Sequence, residues 1–176
     1  MTLIHWRPGW VVVAVWGFFG AGVWGFMHTL SFINYYSHGT QVTAAHGHLA
    51  FFGAYVMLNL AMITYAMPVL RHRAPYNQVL NMASFWLMSG GMLFMTFTLT
   101  FAGTVQTHLQ RVNGEAYMDV QDQLALFYWM RFGSGLAVVA GALLFIWSVL
   151  AVRREGVTPG PVQQHRDQMA HRTPAE

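Results

Sequence analysis

Long stretches without a charged side chain constrain the fold of this chain more than any other feature. No Asp, Glu, Lys or Arg lies between Arg7 and Arg71, or between Arg73 and Arg111. About 20 apolar residues are enough to cross the roughly 30 Å hydrocarbon layer of a bilayer as an α-helix. With 55% apolar and only 9% charged residues in a chain of 176, the composition differs from that of a soluble domain. The sequence therefore predicts an all-α, polytopic membrane protein.

Hydropathy predicts four membrane spans, separated by turn-forming or polar segments. The predicted spans are Trp10 to Thr29, Gly39 to Leu70, Gln78 to Thr107 and Asp122 to Val152. Together they form a transmembrane segment, 10–152, between a short N-terminus, 1–9, and a polar tail, 153–176, that we expect to be disordered. The first span has no small-residue cleavage site, so we expect a retained anchor and not a signal peptide.

The positions of the arginines predict the orientation of these spans. Arginines precede the first span, lie between the second and third, and follow the fourth: Arg7, Arg71, Arg73, Arg153 and Arg154. Because basic loops tend to stay in the cytoplasm, we expect both termini on that side of the membrane and lipid around the spans. All nine basic residues are arginines, and the pI of about 9.6 reflects these loops. We expect no nucleic-acid partner.

Two histidines, His46 and His48, lie inside the second predicted span. Positions i and i+2 of an α-helix are about 200° apart, so these side chains face nearly opposite sides of the helix and do not share one metal ion. The chain has no cysteine, which leaves nitrogen and oxygen as metal ligands. Small residues surround the pair and would let flat porphyrins approach: Gly39, Ala44, Ala45, Gly47, Ala50 and Gly53. The pattern favours one helix that serves two haems.

Simpler interpretations of these residues remain open. A histidine in a membrane helix often does no more than hydrogen-bond to a neighbouring helix. Small residues also serve ordinary helix packing, which we favour for Gly133, Gly135 and Gly141, and we interpret the twelve methionines as core filler. The other histidines fall at membrane ends or in the tail, where we expect surface or interfacial roles: His5, His28, His72, His108, His165 and His171.

Several further polar residues are candidates for binding a cofactor. Arg131 lies inside the fourth predicted span, where an unpaired guanidinium costs about 2.5–3.5 kcal/mol, so it should snorkel outwards or meet an anion such as a haem propionate. Asn34, Tyr35 and His38, at the outer end of the second span, are candidates for the same role or form an interfacial polar loop. We interpret Asn59 and four threonines as groups that form hydrogen bonds between helices: Thr96, Thr98, Thr100 and Thr104.

Four segments of the chain resemble a known family. They are GAGVWGFMHTLSFINYYSHGTQVTAAHGHLAFFGAY, PYNQVLNMASFWLMSGGM, TLTFAGTVQTHLQR and DVQDQLALFYWMRFGSG. From about Phe18 to Arg154 the sequence resembles the C-terminal third of the large, catalytic cytochrome b subunit of bacterial cytochrome c-dependent nitric oxide reductase, in the haem-copper oxidase superfamily. Oxygen reductases of this superfamily carry Phe between the paired histidines, usually after an Asp-Thr-Tyr stretch that this chain lacks.

The resemblance implies a role for each histidine of the pair. His46 matches the axial ligand of the high-spin haem b3, the reacting centre, and His48 matches one of two axial ligands of the low-spin haem b, which relays electrons. The implied protein is an oxidoreductase of denitrification in the bacterial inner membrane. It converts two nitric oxide molecules, two electrons and two protons into nitrous oxide and water, with electrons from a periplasmic cytochrome c donor through a haem c subunit.

Other parts of the family's site have no counterpart in this chain. The ligands of the non-haem iron, three histidines and a glutamate, and the second ligand of haem b match positions upstream of this stretch. We therefore expect the isolated chain to be inactive, and to work with upstream helices of the same subunit or with a split partner chain. Two alternatives stay open: a small, non-catalytic b-type haem-binding membrane protein, and an assembly subunit that leaves both histidines empty.

Overall fold

The computed structural model describes residues 15–71 and 77–150. Within these ranges every regular element is a helix, which agrees with the predicted all-α class. The predictions for the N-terminus, 1–9, and for the polar tail, 153–176, lie outside the described residues, as does the start of the first predicted span.

The described part of the chain folds into six consecutive helices, which we number α1 to α6. Helix α1, residues 15–29, contains a wider π-helical segment, Phe18–Trp24, followed by α-helical Gly25–Thr29. Helix α2 is Ser31–Ser37. Helix α3, residues 41–71, joins Gln41–Ala50, the π-helical Phe51–Met57 and Leu58–Arg71. Helix α4, residues 78–112, joins Gln78–Thr107 to a π-helical end, His108–Val112, and α5 and α6 are Tyr117–Gln123 and Ala125–Leu150.

Three of these helices are long and apolar enough to cross a membrane. They are Gln41–Met67, Val79–Val112 and Ala125–Leu150, and they correspond to the second, third and fourth predicted spans. The predicted first span is described only from residue 15 onwards, where it forms α1. The fourth span begins later than expected because Leu124, with φ −92° and ψ 0°, separates the short helix α5 from α6.

The starts of α3 and α4 are determined by local side chains. Gly39, with φ +73°, occupies the left-handed conformation that reverses the chain between α2 and α3. Thr40 then caps α3, since its Oγ1 accepts a hydrogen bond from the Val42 amide at 3.3 Å. The side chain of Asn77 caps α4 in the same manner by accepting from the Val79 amide at 3.0 Å. Such caps satisfy amides that a helix leaves without partners.

Helix α4 lies between α3 and α6 and carries much of the core. The larger buried cluster of the described residues is rich in methionine and consists of Ala45, Phe52, Met57, Met88, Met92, Met95, Leu99 and Phe145. Our interpretation of the methionines as core filler therefore holds for these four, but it is wrong for Met27, Met62 and Met118, which are exposed. The Ser84 hydroxyl of α4 donates to the Gly141 carbonyl of α6 at 2.7 Å, and a Cβ on Gly141 would lie 3.0 Å from the Met88 amide. Gly141 therefore serves helix packing, as expected.

Helices α1 and α3 approach so closely that their backbones touch. A Cβ added to Gly53 would lie 2.6 Å from Cα of Gly17, closer than real atoms come. A Cβ on Gly103 of α4 would likewise lie 2.8 Å from the Gln41 carbonyl carbon at the start of α3. Our expectation that Gly53 makes room for a porphyrin is therefore wrong, because its missing side chain is required by the neighbouring backbone.

The predicted hydrogen bonds between helices are also wrong for most of the residues concerned. Thr96, Thr100 and Thr104 donate to carbonyls four residues earlier in α4, at 2.7–2.9 Å, and Asn59 donates to the Tyr55 carbonyl in α3. A hydroxyl or amide on a helix reaches its own preceding turn more readily than a neighbouring helix. These side chains satisfy their polar groups within their own helices.

Candidate haem-binding site

His46 and His48 point to different neighbours from one helix, as the i, i+2 spacing predicts. The His46 ring faces α1, where its centroid lies 5.1 Å from that of His28 and 6.2 Å from that of Trp24. His48 instead faces residues of α4 and α6, among them Met95 and Arg131. Two ligands so placed would serve two separate centres.

The His48 ring is held in one orientation by its own helix. Its Nδ1 lies 2.7 Å from the Ala44 carbonyl oxygen. Because a carbonyl only accepts, Nδ1 carries the proton, and in the neutral ring Nε2 keeps its lone pair. Histidines that bind metals are commonly oriented by such a bond to the other ring nitrogen. His48 therefore has the tautomer that a metal-binding imidazole requires.

A cavity of about 530 Å³, open on its outer side, lies beside His48. Its lining comes from α3, α4 and α6 and consists of His48, Met95, Tyr128, Arg131, Phe132, Gly135 and Leu136. The volume falls within the roughly 300–1,000 Å³ of sites for small molecules and cofactors. An imidazole, a phenol and a guanidinium among apolar side chains suit an iron porphyrin, which needs an axial nitrogen, apolar walls and partners for two propionates. The residues present thus fit a haem.

Within the described residues, no acidic side chain lies on α3, α4 or α6, the helices around Arg131. The acidic residues in the described ranges are Glu115, Asp119 and Asp122, which lie before or within α5. An anion for the half-buried Arg131 would therefore come from beyond the described residues, and a cofactor or a lipid headgroup is a candidate, since burying a charge is costly unless it is paired.

Glutamine and tyrosine side chains connect four helices at the edge of this cavity. The backbone N–H of Gln41 donates to Oε1 of Gln106 at 2.9 Å, and the side-chain Nε2 of Gln41 donates to the Tyr128 hydroxyl at 3.2 Å. The Tyr128 hydroxyl in turn donates to Oε1 of Gln121. Gln106 is only 1% exposed. Sequence reasoning missed this network, although a glutamine inside an apolar helix requires a partner and could have indicated it.

The surroundings of His46 are tighter than those of His48. The Nδ1 atom of His46 is buried and has no hydrogen-bond partner within the described residues. Gly25 of α1 lies against the ring, since a Cβ there would be 3.3 Å from Cε1 of His46. Trp24 packs beside the ring and against the core. His46 is therefore enclosed on its α1 side by residues that leave one ring nitrogen unsatisfied.

Our expectation that His28 is a surface or interfacial residue is wrong. It is half-buried and stacks on His46 at an interplanar angle of 21°. Its Nδ1 bonds to the Trp24 carbonyl at 2.9 Å, which turns the ring back along α1 towards α3. Hydropathy estimates how deep a Cα lies but not where its side chain turns. His108, by contrast, is exposed, as expected.

Asn34, Tyr35 and His38 lie together at α2 and its C-terminal end. Asn34 is half-buried, whereas Tyr35 and His38 are exposed. Arg111 joins this group, because its guanidinium carbon lies 5.7 Å from the Tyr35 ring centroid and its Nη2 donates to the His38 carbonyl at 3.5 Å. Their contact with a haem propionate stays a prediction.

Among the described residues, no three His, Cys, Asp or Glu side chains are grouped so that they could hold a metal ion. A metal ion bound by either imidazole of the His46/His48 pair would therefore take its other ligands from a preformed complex or from beyond the described ranges. This suits a porphyrin, which brings four nitrogens to its own iron.

Comparison with known proteins identifies the class to which this helical arrangement belongs. Residues 1–137 match the family described as Cytochrome C and Quinol oxidase polypeptide I, and the chain belongs to this family of haem-copper oxidase subunits. It is also 47% identical over 162 residues to a subunit of nitric oxide reductase from Stutzerimonas stutzeri. That alignment covers 88% of this chain and 33% of the relative, so the chain spans about a third of the length of the curated relative it matches. The predicted resemblance is confirmed.

Proposed function

We propose that the chain forms the C-terminal part of the catalytic subunit of a nitric oxide reductase in the bacterial inner membrane. The observation that carries this proposal is the division of His46 and His48 between two sides of α3 in a chain 47% identical to a nitric oxide reductase subunit. Two centres on one helix are what a relay haem and a reacting haem require.

His48 would hold the low-spin haem b, and His46 the high-spin haem b3. Nε2 of His48 is the free nitrogen beside the cavity, and Tyr128 and Arg131 are the polar groups of its wall. The guanidinium would pair with a propionate, and Asn34, Tyr35 and His38 are further candidates for that role. When bound, the haems supply electron relay and an iron at which nitric oxide is reduced.

The reaction would join two nitric oxide molecules, using two electrons and two protons, to give nitrous oxide and water. This chain's own residues would orient the two imidazoles, and the methionine-rich core would exclude water. The non-haem iron ligands and the second haem b ligand would come from upstream helices of the same subunit or from a split partner chain. A haem c subunit and a periplasmic cytochrome c would deliver the electrons.

The proposed orientation places both termini in the cytoplasm, because arginines flank the predicted spans on that side. A fluorescent reporter fused after Glu176 should then be active, and an alkaline phosphatase inserted near Asn113 should be active as well. The reverse pattern would contradict the orientation.

The function can be tested by expressing the chain alone and together with the upstream helices of a related subunit. We expect both haem signals and nitric oxide consumption only in the combined preparation, because the second haem b ligand and the iron ligands would be supplied there. A stable haem spectrum from the chain alone, without turnover in the combination, would favour the non-catalytic b-type haem protein. No haem in either preparation would favour an assembly subunit.

A further inference from the structure

A second imidazole lies against His46, and the proposed function gives it no role. The rings of His28 and His46 are nearly parallel, with an angle of 21° between their planes. Each ring has one buried nitrogen without a hydrogen-bond partner in the described ranges, Nε2 of His28 and Nδ1 of His46. Buried polar atoms without partners cost free energy and are uncommon in native proteins. Two of them in contacting rings therefore require an explanation.

The other contacts of the two rings determine which nitrogens carry protons. Nδ1 of His28 lies 2.9 Å from the Trp24 carbonyl, so in the neutral ring this nitrogen carries the proton and Nε2 is an acceptor. When Nε2 of His46 binds iron, Nδ1 of His46 keeps its proton and is a donor. The two unpartnered nitrogens are thus complementary, one as donor and the other as acceptor.

We propose that His28 is a positioning residue for His46 in the haem-loaded protein, with Nε2 of His28 accepting the Nδ1 proton of His46. This inference rests on the proposed function, because it requires iron on His46. Turning the His46 ring about its Cβ–Cγ bond would bring its Nδ1 towards Nε2 of His28, while Nδ1 of His28 keeps its bond to the Trp24 carbonyl. Such a bond orients the axial ligand and raises its basicity.

Two substitutions separate the acceptor from the packing. His28→Phe keeps an aromatic ring and removes Nε2, whereas His28→Gln provides a different acceptor at the end of the side chain. We expect His28→Phe to lower the Fe–His stretching frequency of the ferrous high-spin haem and to raise that haem's midpoint potential, because a less basic imidazole stabilises ferric iron less. His28→Gln should shift both values back towards the parent. His108→Phe, at an exposed histidine of α4, is the matched control and should change neither.

Resonance Raman spectra and redox titrations of the complete subunit, in one detergent, measure both quantities. An unchanged frequency and potential in His28→Phe with the haem retained would overturn the positioning role. If this variant loses the haem, the parent decides the question: its Fe–His frequency should exceed that of a neutral-imidazole model haem, and equal frequencies would overturn the inference. A parent without a histidine-ligated high-spin haem would instead refute the proposed function, so the two failures are distinguishable.

Discussion

The two sides of helix α3 differ in how closely they are packed. Towards α1 the backbones of Gly53 and Gly17 touch, and His46 is stacked on His28. Towards α4 and α6 the same helix borders a cavity of about 530 Å³ beside His48. One helix therefore presents one imidazole to a tight contact and another, two residues later, to an open space.

This difference shows that small residues serve two purposes around one helix. At Gly53 the missing side chain lets a second backbone approach, whereas Gly135 lies at the cavity, where an added Cβ would meet only the Met95 methyl carbon, at 3.6 Å. Both uses are typical of membrane helices, in which close approach depends on the absence of side chains. Whether a glycine allows close helix packing or leaves space at the cavity therefore depends on the group that faces it.

The tight side should respond most strongly to an added methyl group. We expect Gly53→Ala to destabilise the protein by about 1–3 kcal/mol or more, because the new Cβ would meet backbone atoms of Gly17 that cannot rotate away. Gly133→Ala on α6, where an added Cβ would have no neighbour within 4 Å in the described chain, is the control and should be neutral or slightly stabilising. Thermal unfolding in one detergent measures both, and equal midpoints would contradict the close contact.

The open side should respond to the loss of its positive charge. We expect Arg131→Leu to lower the low-spin haem potential and the haem content, because the guanidinium favours the reduced iron and would pair with a propionate. Charges about 8–16 Å apart at an effective dielectric constant of about 20 interact by on the order of 1–2 kcal/mol. Arg131→Lys, which keeps the positive charge, is the control in a redox titration and should stay closer to the parent potential. An unshifted potential with full haem content in Arg131→Leu would leave Arg131 as an ordinary membrane anchor.

The hydrogen-bond network at the edge of the cavity should have a smaller effect. Tyr128→Phe removes the hydroxyl that bonds to Gln41 and Gln121, which should cost about 0.5–1.5 kcal/mol for each of the two bonds that water does not replace. Tyr117→Phe is the control, because it removes the hydroxyl of an exposed tyrosine of α5 that lies outside the network. The free energy of unfolding should therefore be lower for Tyr128→Phe than for Tyr117→Phe. Equal values would mean that the network contributes little to stability.

Sequence reasoning predicted the helices better than the contacts between them. Charge-free stretches located the second and third spans to within a few residues, because a bilayer sets both the length and the polarity of a crossing helix. The i, i+2 spacing of His46 and His48 was enough to predict that they face different sides, since that angle is a property of the helix itself.

The contacts between helices depend on rotations and crossings that no single helix encodes. For this reason the stacking of His28 on His46, the burial of Gln106 and the contact at Gly53 were not predicted. Each depends on which element happens to face the residue. The threonines of α4 are different, because each hydroxyl can reach a carbonyl of its own helix. The bonds that we predicted to other helices are replaced by these local bonds.

The most direct test of the account is to remove each histidine of the pair in the complete subunit and record absorption and electron paramagnetic resonance spectra. His48→Ala should remove the low-spin haem signal and leave a high-spin haem that still binds nitric oxide, whereas His46→Ala should remove the nitric oxide-binding haem and leave the low-spin signal. His108→Ala, at an exposed histidine, should resemble the parent. Identical spectra for His46→Ala and His48→Ala would contradict the claim that the two sides of α3 serve two different haems.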